Sequence, residues 1–310
     1  MHMLILGAGA LGSLIGARLS KTEVRTTLYS TNESHTKAIQ KYGLLVEELD
    51  GSTQSFHPAA CSTARSLKDP ADVVLVTVKS YATRQAVSSI MRCCGSDTVF
   101  LTLQNGVGNW EQMAETAGPE QVLLGTTAQG ATLVGPGRIR HGGGGPTFIG
   151  ERNGPPTARV NTLVEVFMKA GLPTHSSDRM EHLIWEKLMV NVGINAITAL
   201  TNTRNGMVAD LAAGRALSRS AVLEALHVAQ AKGFALDEEM VERVLQVARA
   251  TAVNRSSMGQ DVDRKKRTEI DAINGAIVRF AEDARMDVPV NRTLTQLIQV
   301  MESNYLKCSQ

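Results

Sequence analysis

The sequence predicts an α/β N-terminal domain on a mostly parallel sheet with antiparallel additions, followed by an all-α C-terminal domain. Three observations predict it. An apolar run at the chain start leads into the glycine cluster Gly7-Ala8-Gly9-Ala10-Leu11-Gly12. Short apolar runs of buried-strand type recur through the first half. From about Asp178 the periodicity turns helical and stays so. At 310 residues the chain is too long for one ordinary core. The expected division is 1–177 and 178–310, with Ser176-Ser177-Asp178 as boundary and helix cap.

Composition narrows the function classes. Apolar residues make up 43% and charged residues 20%, with a net charge of +2, so no polyanion-binding face is signalled and nucleic acid is not an implied partner. No apolar run reaches membrane-spanning length, and the start runs straight into a strand, so neither a membrane nor a secretory leader is expected. The four cysteines, Cys61, Cys93, Cys94 and Cys308, contain no C-x-x-C pair. Neither a disulfide framework nor a zinc site is supported, and the thiols read as reduced and cytoplasmic.

Taken in order, Met3-Leu4-Ile5-Leu6 is a buried parallel strand, and the glycine cluster opens a helix running to about Lys21. Placed between strand and helix, G-x-G-x-x-G is a dinucleotide signal. Gly7 makes the tight turn, Gly9 admits a pyrophosphate, Gly12 lets helix and strand touch, and Ala8, Ala10 and Leu11 complete the cradle at the helix N-terminus. The second strand, 24–29, should end beside the adenosine ribose. An NAD site would place an acid there; this chain has Ser30-Thr31-Asn32, with no acid before Glu33. Hydroxyls donate to a 2′-phosphate that a carboxylate would repel, so NADP(H) is favoured. Arg25 and Lys37 read as solvated charges.

Two β-type runs, 44–46 and 54–59, flank the hairpin signal Asp50-Gly51. The strand 71–78 ends at Lys79, and ligand crevices lie at the carboxyl ends of such strands, which aims Lys79 at a cofactor. The strand 98–103 ends in Gln104-Asn105-Gly106, which lets Asn105 present its amide where a nicotinamide and a carbonyl would meet. After a strand at 122–125, the segments 137–141 and 147–150 read as an antiparallel hairpin across a four-glycine run; His141 is assigned no role. A helix at 156–170 and a short strand near Thr174 close the domain.

The second half opens on Trp185-Glu186-Lys187-Leu188-Met189-Val190-Asn191-Val192-Gly193-Ile194-Asn195. Lys187, Asn191 and Asn195 fall at i, i+4 and i+8, each about 40° further around a helix, and so share one ridge. A solvated stripe is one reading. The apolar flanks and two asparagines, poor helix formers, favour a binding surface for something polar. A loop at 203–206 follows, then helices at 215–232, capped by Gly233, and from Asp237 to about Asn254. On one unbroken helix Ser257 and Glu269 would stand about 18 Å apart and about 120° out of phase. They cooperate only across a break, for which Gly259 is the expected breaker.

These residues resemble the ketopantoate reductase (2-dehydropantoate 2-reductase) family. GAGALG at 7–12, VKS at 78–80, QNGVG at 104–108, WEKLMVNVGIN at 185–195, NRSSMGQD at 254–261 and TEIDAING at 268–275 carry the resemblance in the family's order. It implies a Rossmann-type NADPH-binding domain, an all-helical substrate domain, and reduction of the C2 ketone of 2-dehydropantoate to pantoate, in the route to pantothenate and coenzyme A. It also implies that Lys187 is the catalytic lysine, a general acid and electrostatic stabiliser, and that Asn105 lies near the nicotinamide. Lys79 falls on the cofactor side. Asn191, Asn195, Ser257 and Glu269, with Asn254 of the same NRSSMGQD segment, match the substrate-holding set. Members often carry an arginine after the second strand, where this chain has Ser30-Thr31; that departure bears on NADP preference, not on dinucleotide binding. The expected partner is a small 2-keto acid, with no metal, and the helical half is compatible with a homodimer. Two alternatives stand beside this reading: a paralogous reductase of another branched 2-keto acid, and a non-catalytic NADP(H)-sensing regulator.

Overall fold

The computed structural model describes residues 1–67 and 69–307; Cys308 lies outside them. By contact the chain forms two compact units, Met1–Gln104 with Asn109–Glu181, and Asn105–Gly108 with His182–Gln310.

Among its described residues the first unit carries twelve strands: β1 (His2–Leu6), β2 (Arg25–Tyr29), β3 (Leu44–Glu47), β4 (Thr53–Phe56), β5 (Ala59–Cys61), β6 (Ala71–Val76), β7 (Cys94–Thr102), β8 (Val122–Thr127), β9 (Gly130–Gly135), β10 (Arg138–Gly143), β11 (Thr147–Gly150) and β12 (Thr174–Ser176). Its helices are α1 (Ala10–Leu19), α2 (Glu33–Tyr42), α3 (Thr83–Ile90), α4 (Asn109–Ala117) and α5 (Ala158–Lys169). The main sheet has the order β12-β11-β8-β7-β6-β1-β2-β5. Every neighbouring pair in it is parallel except β11 with β8. β1 is buried throughout because both its edges and both its faces are covered. Its neighbours are β2 on one side and β6 on the other, so the chain reverses its direction of winding at β1. The carboxyl ends of β1, β2 and β6 therefore lie together at a topological switch point.

Leu14 and Ile15 of α1 and Leu163 and Phe167 of α5 pack one face, together with Val46 and Ile139 of a second sheet, β4-β3-β10-β9. Val87 and Ile90 of α3 and Met113 of α4 cover the other face against Val74 and Phe100.

The hairpin expected between 137–141 and 147–150 does not form. β10 pairs antiparallel with β9 through the turn Gly135-Pro136-Gly137, in which Gly137 takes φ +68°, and parallel with β3. The glycine run instead carries the chain back to the main sheet, where β11 pairs with β8. A Pro-Gly turn closes a hairpin more tightly than a run of glycines, and the glycines at both ends of β9 hid that strand in the sequence. The run 54–59 likewise divides at His57-Pro58, β4 joining the small sheet and β5 the main one.

Among its described residues the second unit contains helices and loops but no strand. α6 (Met180–Leu200) enters it at His182 and is followed by α7 (Gly206–Asp210), α8 (Ala212–Ala231), α9 (Glu239–Ala250), α10 (Ser257–Asp263), α11 (Asn274–Asp283) and α12 (Pro289–Lys307). The loop expected at 203–206 is shorter than its span, because Gly206 already starts α7. α6 is long and apolar enough to cross a membrane by length and composition, contrary to the reading from the sequence; most of it is buried in this protein's own core. Trp185 stacks between Phe234 and Phe280 at 5.0 and 5.7 Å. At Gly193 a Cβ would stand 2.7 Å from Val244 and 2.8 Å from Val222, so glycine sets the close approach of α6 to α8 and α9. Around the axis Trp185 lies about 160° from Lys187, and Gly193 about 160° from Asn191 and Asn195, which turns most of the polar ridge away from that packing.

The break between Ser257 and Glu269 comes after α10, not at Gly259. Lys265 takes φ +52° within the basic run 264–267, which ends the helix. Gly259 lies inside α10, its N–H taken by the cap Ser256 Oγ at 3.1 Å, and a Cβ there would meet the Arg255 guanidinium at 2.7 Å.

A buried polar network joins four helices. Asn274 Nδ2 donates to Asn291 Oδ1 (3.0 Å) and to the carbonyl of Val192 (3.4 Å). Asn291 Nδ2 donates to Ala221 O and to Glu224, whose carboxylate also accepts the N–H groups of Val290 and Asn291 at the start of α12. Asn291→Ala is expected to lower the stability of the helical unit by about 2–4 kcal/mol, because it leaves buried partners unpaired. Urea unfolding followed by circular dichroism checks it.

Candidate active-site residues

In the first unit the glycine turn is fixed by the backbone around it. Gly7 takes φ +100°, and a Cβ on it would meet the backbone of Val78 at 2.5 Å; a Cβ on Gly12 would meet Thr77 Oγ1 at 2.5 Å. Thr77 Oγ1 donates to the Gly7 carbonyl at 2.9 Å, and the Gly7 and Ala8 N–H groups both donate to Tyr29 O. Gly9 differs. It is exposed, and the nearest atom to a Cβ there is 3.9 Å away, so nothing within the protein requires glycine. Missing bulk at Gly9 is space for something outside the chain. The first turn of α1 has no side-chain cap and no acid, which leaves its N–H groups facing out for an anion. The cradle fits a pyrophosphate.

Ser30 follows β2, half-buried, its N–H on Cys61 O and its Oγ accepting from Asn32 N–H; Thr31 is exposed. Asn32 caps α2 by accepting from His35 N–H. Glu33 is engaged by Lys37 at 2.8 Å, which holds its carboxyl below the usual range, and Arg25 pairs with Asp69 at 2.9 Å. Arg25 and Lys37 are thus surface charges. Lys79 stands half-buried just past the end of β6, on the strand next to the glycine turn.

The second unit gathers the polar ridge. Lys187 is half-buried, and burial pushes its ammonium down to about 8 against the opposing pull of Glu269, whose negative charge raises it. Glu269 is 6% exposed, at the start of a 3-10 turn through Ala272. Asn195 donates to Asn191 Oδ1 at 3.2 Å, and Asn191 Nδ2 is buried with no partner among the described residues. A solvated stripe would show neither feature. Asn105 is half-buried in a loop that clusters with this unit: Gly106, at φ +78°, would press a Cβ onto Ala272 O at 2.4 Å, and Val107 N–H donates to that oxygen. Asn105 is thereby tied to the turn that follows Glu269. Ser257, first residue of α10, and Asn254 are both exposed, apart from the buried part of the ridge.

Sequence reasoning missed the residues that hold these groups in place. Thr77 and Asn32 sit at strand-end and cap positions that were readable as such. Ser256 is likewise a cap, and its bond from Thr198 spans 58 residues; Asn274 had no local signal for its bond to Val192, 82 residues away.

Fold and side chains place the chain among the oxidoreductases that join a Rossmann-type unit to a helical one. The family model described as "Ketopantoate reductase PanE/ApbA" matches residues 3–154, and "Ketopantoate reductase PanE/ApbA C terminal" matches 179–302. A 2-dehydropantoate 2-reductase of Halobacterium salinarum is 40% identical over 97% of this chain and 99% of its own length. A PanE/ApbA family ketopantoate reductase from Ralstonia eutropha JMP134 superposes with a TM-score of 0.91 at 30% identity, covering 99% of this chain and 100% of that one. D-mandelate dehydrogenase with NADH and anilino(oxo)acetate has a TM-score of 0.92 at 24% identity over 98% and 99% of the two chains, a likeness of fold. The chain belongs to the ketopantoate reductase family.

The glycines separate structural from ligand-facing roles. Gly12→Ala should cost about 1–3 kcal/mol of stability by overpacking, whereas Gly9→Ala should leave the calorimetric midpoint unchanged.

Proposed function

We propose that the protein reduces 2-dehydropantoate to pantoate with NADPH, and that Lys187 is the general acid. The half-buried Lys187 ammonium beside Glu269 carries this reading, and the 40% identity to a 2-dehydropantoate 2-reductase supports the substrate. Gly7, Ala8, Gly9, Ala10, Leu11 and Gly12 would hold the pyrophosphate, Ser30 and Thr31 the adenosine end, and Lys79 and Asn105 the region of the nicotinamide. When bound, the dinucleotide supplies a hydride. Everything else falls to this chain.

As the C2 oxygen of the substrate gains charge, an ammonium in a low-dielectric site stabilises it more than one in water, and then donates a proton. With a pKa of about 8, Lys187 stays mainly protonated at neutral pH yet gives up its proton more easily than a solvated lysine. Asn105 adds a hydrogen bond in the same region. Asn191 Nδ2, buried without a partner, and Asn195 beside it offer amide groups to substrate oxygens. Glu269 accepts from a substrate hydroxyl or from the Lys187 ammonium. Ser257 and Asn254 would take the substrate carboxylate from the exposed side.

The sign of the pH dependence follows. Reduction needs protonated Lys187, so kcat/KM should be level below pH about 8 and fall tenfold per unit above it. Glu269→Gln removes the charge that raises the lysine and should move the break to lower pH. Lys187→Ala should cut kcat by about 100-fold or more with NADPH affinity nearly intact. Steady-state NADPH oxidation with 2-dehydropantoate and a panel of other 2-keto acids checks all three. Near-normal turnover by Lys187→Ala would remove that residue from the chemistry, and binding of NADPH without turnover of any keto acid would favour a sensor.

The end of β2 carries hydroxyls, and its nearest acid is paired with Lys37. NADPH should therefore exceed NADH in kcat/KM by about tenfold or more. Equal values would take Ser30 and Thr31 out of 2′-phosphate recognition.

A further inference from the structure

The carbonyl of Ala8 lies in the middle of the glycine turn. Ala8 is 0% exposed and its N–H is used by Tyr29 O, so its oxygen must find a donor inside the protein or swing outward. Ser13 Oγ, also 0% exposed, supplies the donor at 3.2 Å. The same hydroxyl lies 3.0 Å from His35 Nε2, and His35 Nδ1 lies 3.0 Å from the backbone N–H of Gly137.

We propose that Gly137, His35 and Ser13 form a one-way hydrogen-bond relay that keeps the Ala8 carbonyl turned inward, so that the glycine turn meets a dinucleotide with N–H groups alone. This rests on the reading of that turn as a dinucleotide cradle.

The direction of the relay follows from Gly137. A backbone N–H only donates, so Nδ1 is the unprotonated nitrogen and Nε2 carries the hydrogen of a neutral ring. Nε2–H donates to Ser13 Oγ, which leaves the serine's own hydrogen for Ala8 O. Burial pushes the His35 ring below its ordinary range, in keeping with a neutral form. Three elements are tuned to deliver these atoms. Asn32 caps α2 and sets His35 within its first turn. Gly137 sits at φ +68° in the β9–β10 turn, and a Cβ on it would crowd Ala38 at 3.0 Å. Ser13 follows the last glycine of the turn in α1. His35 is 1% exposed, so water cannot substitute for a missing member. With the relay broken, the Ala8 oxygen is either unpaired in the core or rotated toward the phosphates, where its partial negative charge opposes binding. His35 and Ser13 are thus positioning residues, and the small sheet acts on the cofactor turn through them.

NADPH fluorescence titration of the full chain tests this, alongside steady-state kinetics and the melting midpoint of the free protein. Ser13→Ala should raise the NADPH Kd about tenfold, the scale of one lost buried hydrogen bond, with KM for NADPH rising in step and kcat changing less than twofold. His35→Phe should do the same, the double variant should be no worse than either single, and His35→Gln, which keeps an acceptor and a donor, should recover most of the loss. An unchanged Kd in Ser13→Ala, or additive effects in the double variant, overturns the relay. Should His35→Phe fail to fold, Ser13→Ala decides alone, since it removes one oxygen from a helix. A wild-type chain that binds no NADPH overturns both this inference and the cradle reading; a wild type that binds, with Ser13→Ala binding equally well, overturns only the relay.

Discussion

A lysine ammonium taken out of water is the constraint on which the second unit depends. Desolvation pulls Lys187 toward its neutral form, and the carboxylate of Glu269 opposes it. That balance requires both side chains to be held firmly, because the interaction of two buried charges varies steeply with their separation. The fold meets the requirement from both sides. Gly193 lets α6 settle against Val222 and Val244 on the face away from the ridge. The segment of Glu269 is pinned by Thr268, whose N–H donates to Glu302 at 2.7 Å and whose Oγ1 accepts from Ile270. Asn274, five residues on, donates to the carbonyl of Val192 in α6 itself. The polar network of α8, α11 and α12 thus also ties the segment after Glu269 to α6.

The first unit solves a different problem with backbone. An anion cradle needs several N–H groups pointing one way, and every carbonyl nearby pointing another. Gly7 O goes to Thr77 and Ala8 O to Ser13, while two inner N–H groups share Tyr29 O. What is left outward is the uncapped first turn of α1. Gly7 and Gly12 are glycine because protein atoms crowd them, and Gly9 because none do.

The parts of this legible in the sequence were those encoded locally. The glycine turn, the strands that end at Lys79 and Gln104, and the i, i+4, i+8 ridge each involve residues within one element or its ends, where spacing fixes geometry. Gly259 was misread because a glycine is equally a breaker and a close-contact residue; only the Arg255 guanidinium above it distinguishes the two. The β9–β10 hairpin was missed because Gly130–Gly135 is a short run that begins and ends in glycine, and its pairing depends on the Pro-Gly turn at its end. His35 and Gly137 are 102 residues apart, and no periodicity relates them. Long-range polar contacts carry no pattern in a single sequence.

The buried amide of Asn191 completes the physical case. A helix that served only as a core element would be expected to spend that position on an apolar side chain, since an unpaired buried donor is destabilising and few are kept in native proteins. The groups along this ridge are unfavourable in the same way: an ammonium short of water, an amide short of an acceptor, and a second amide occupied by the first. On the reading proposed above, a ligand bearing a developing oxyanion and neighbouring oxygens would relieve the first two together. On the proposed reading, the strain stored by desolvating Lys187 and Asn191 is released toward the charged state of the reaction rather than toward the neutral ketone. That difference, rather than tight binding of the starting ketone, is what lowers a barrier.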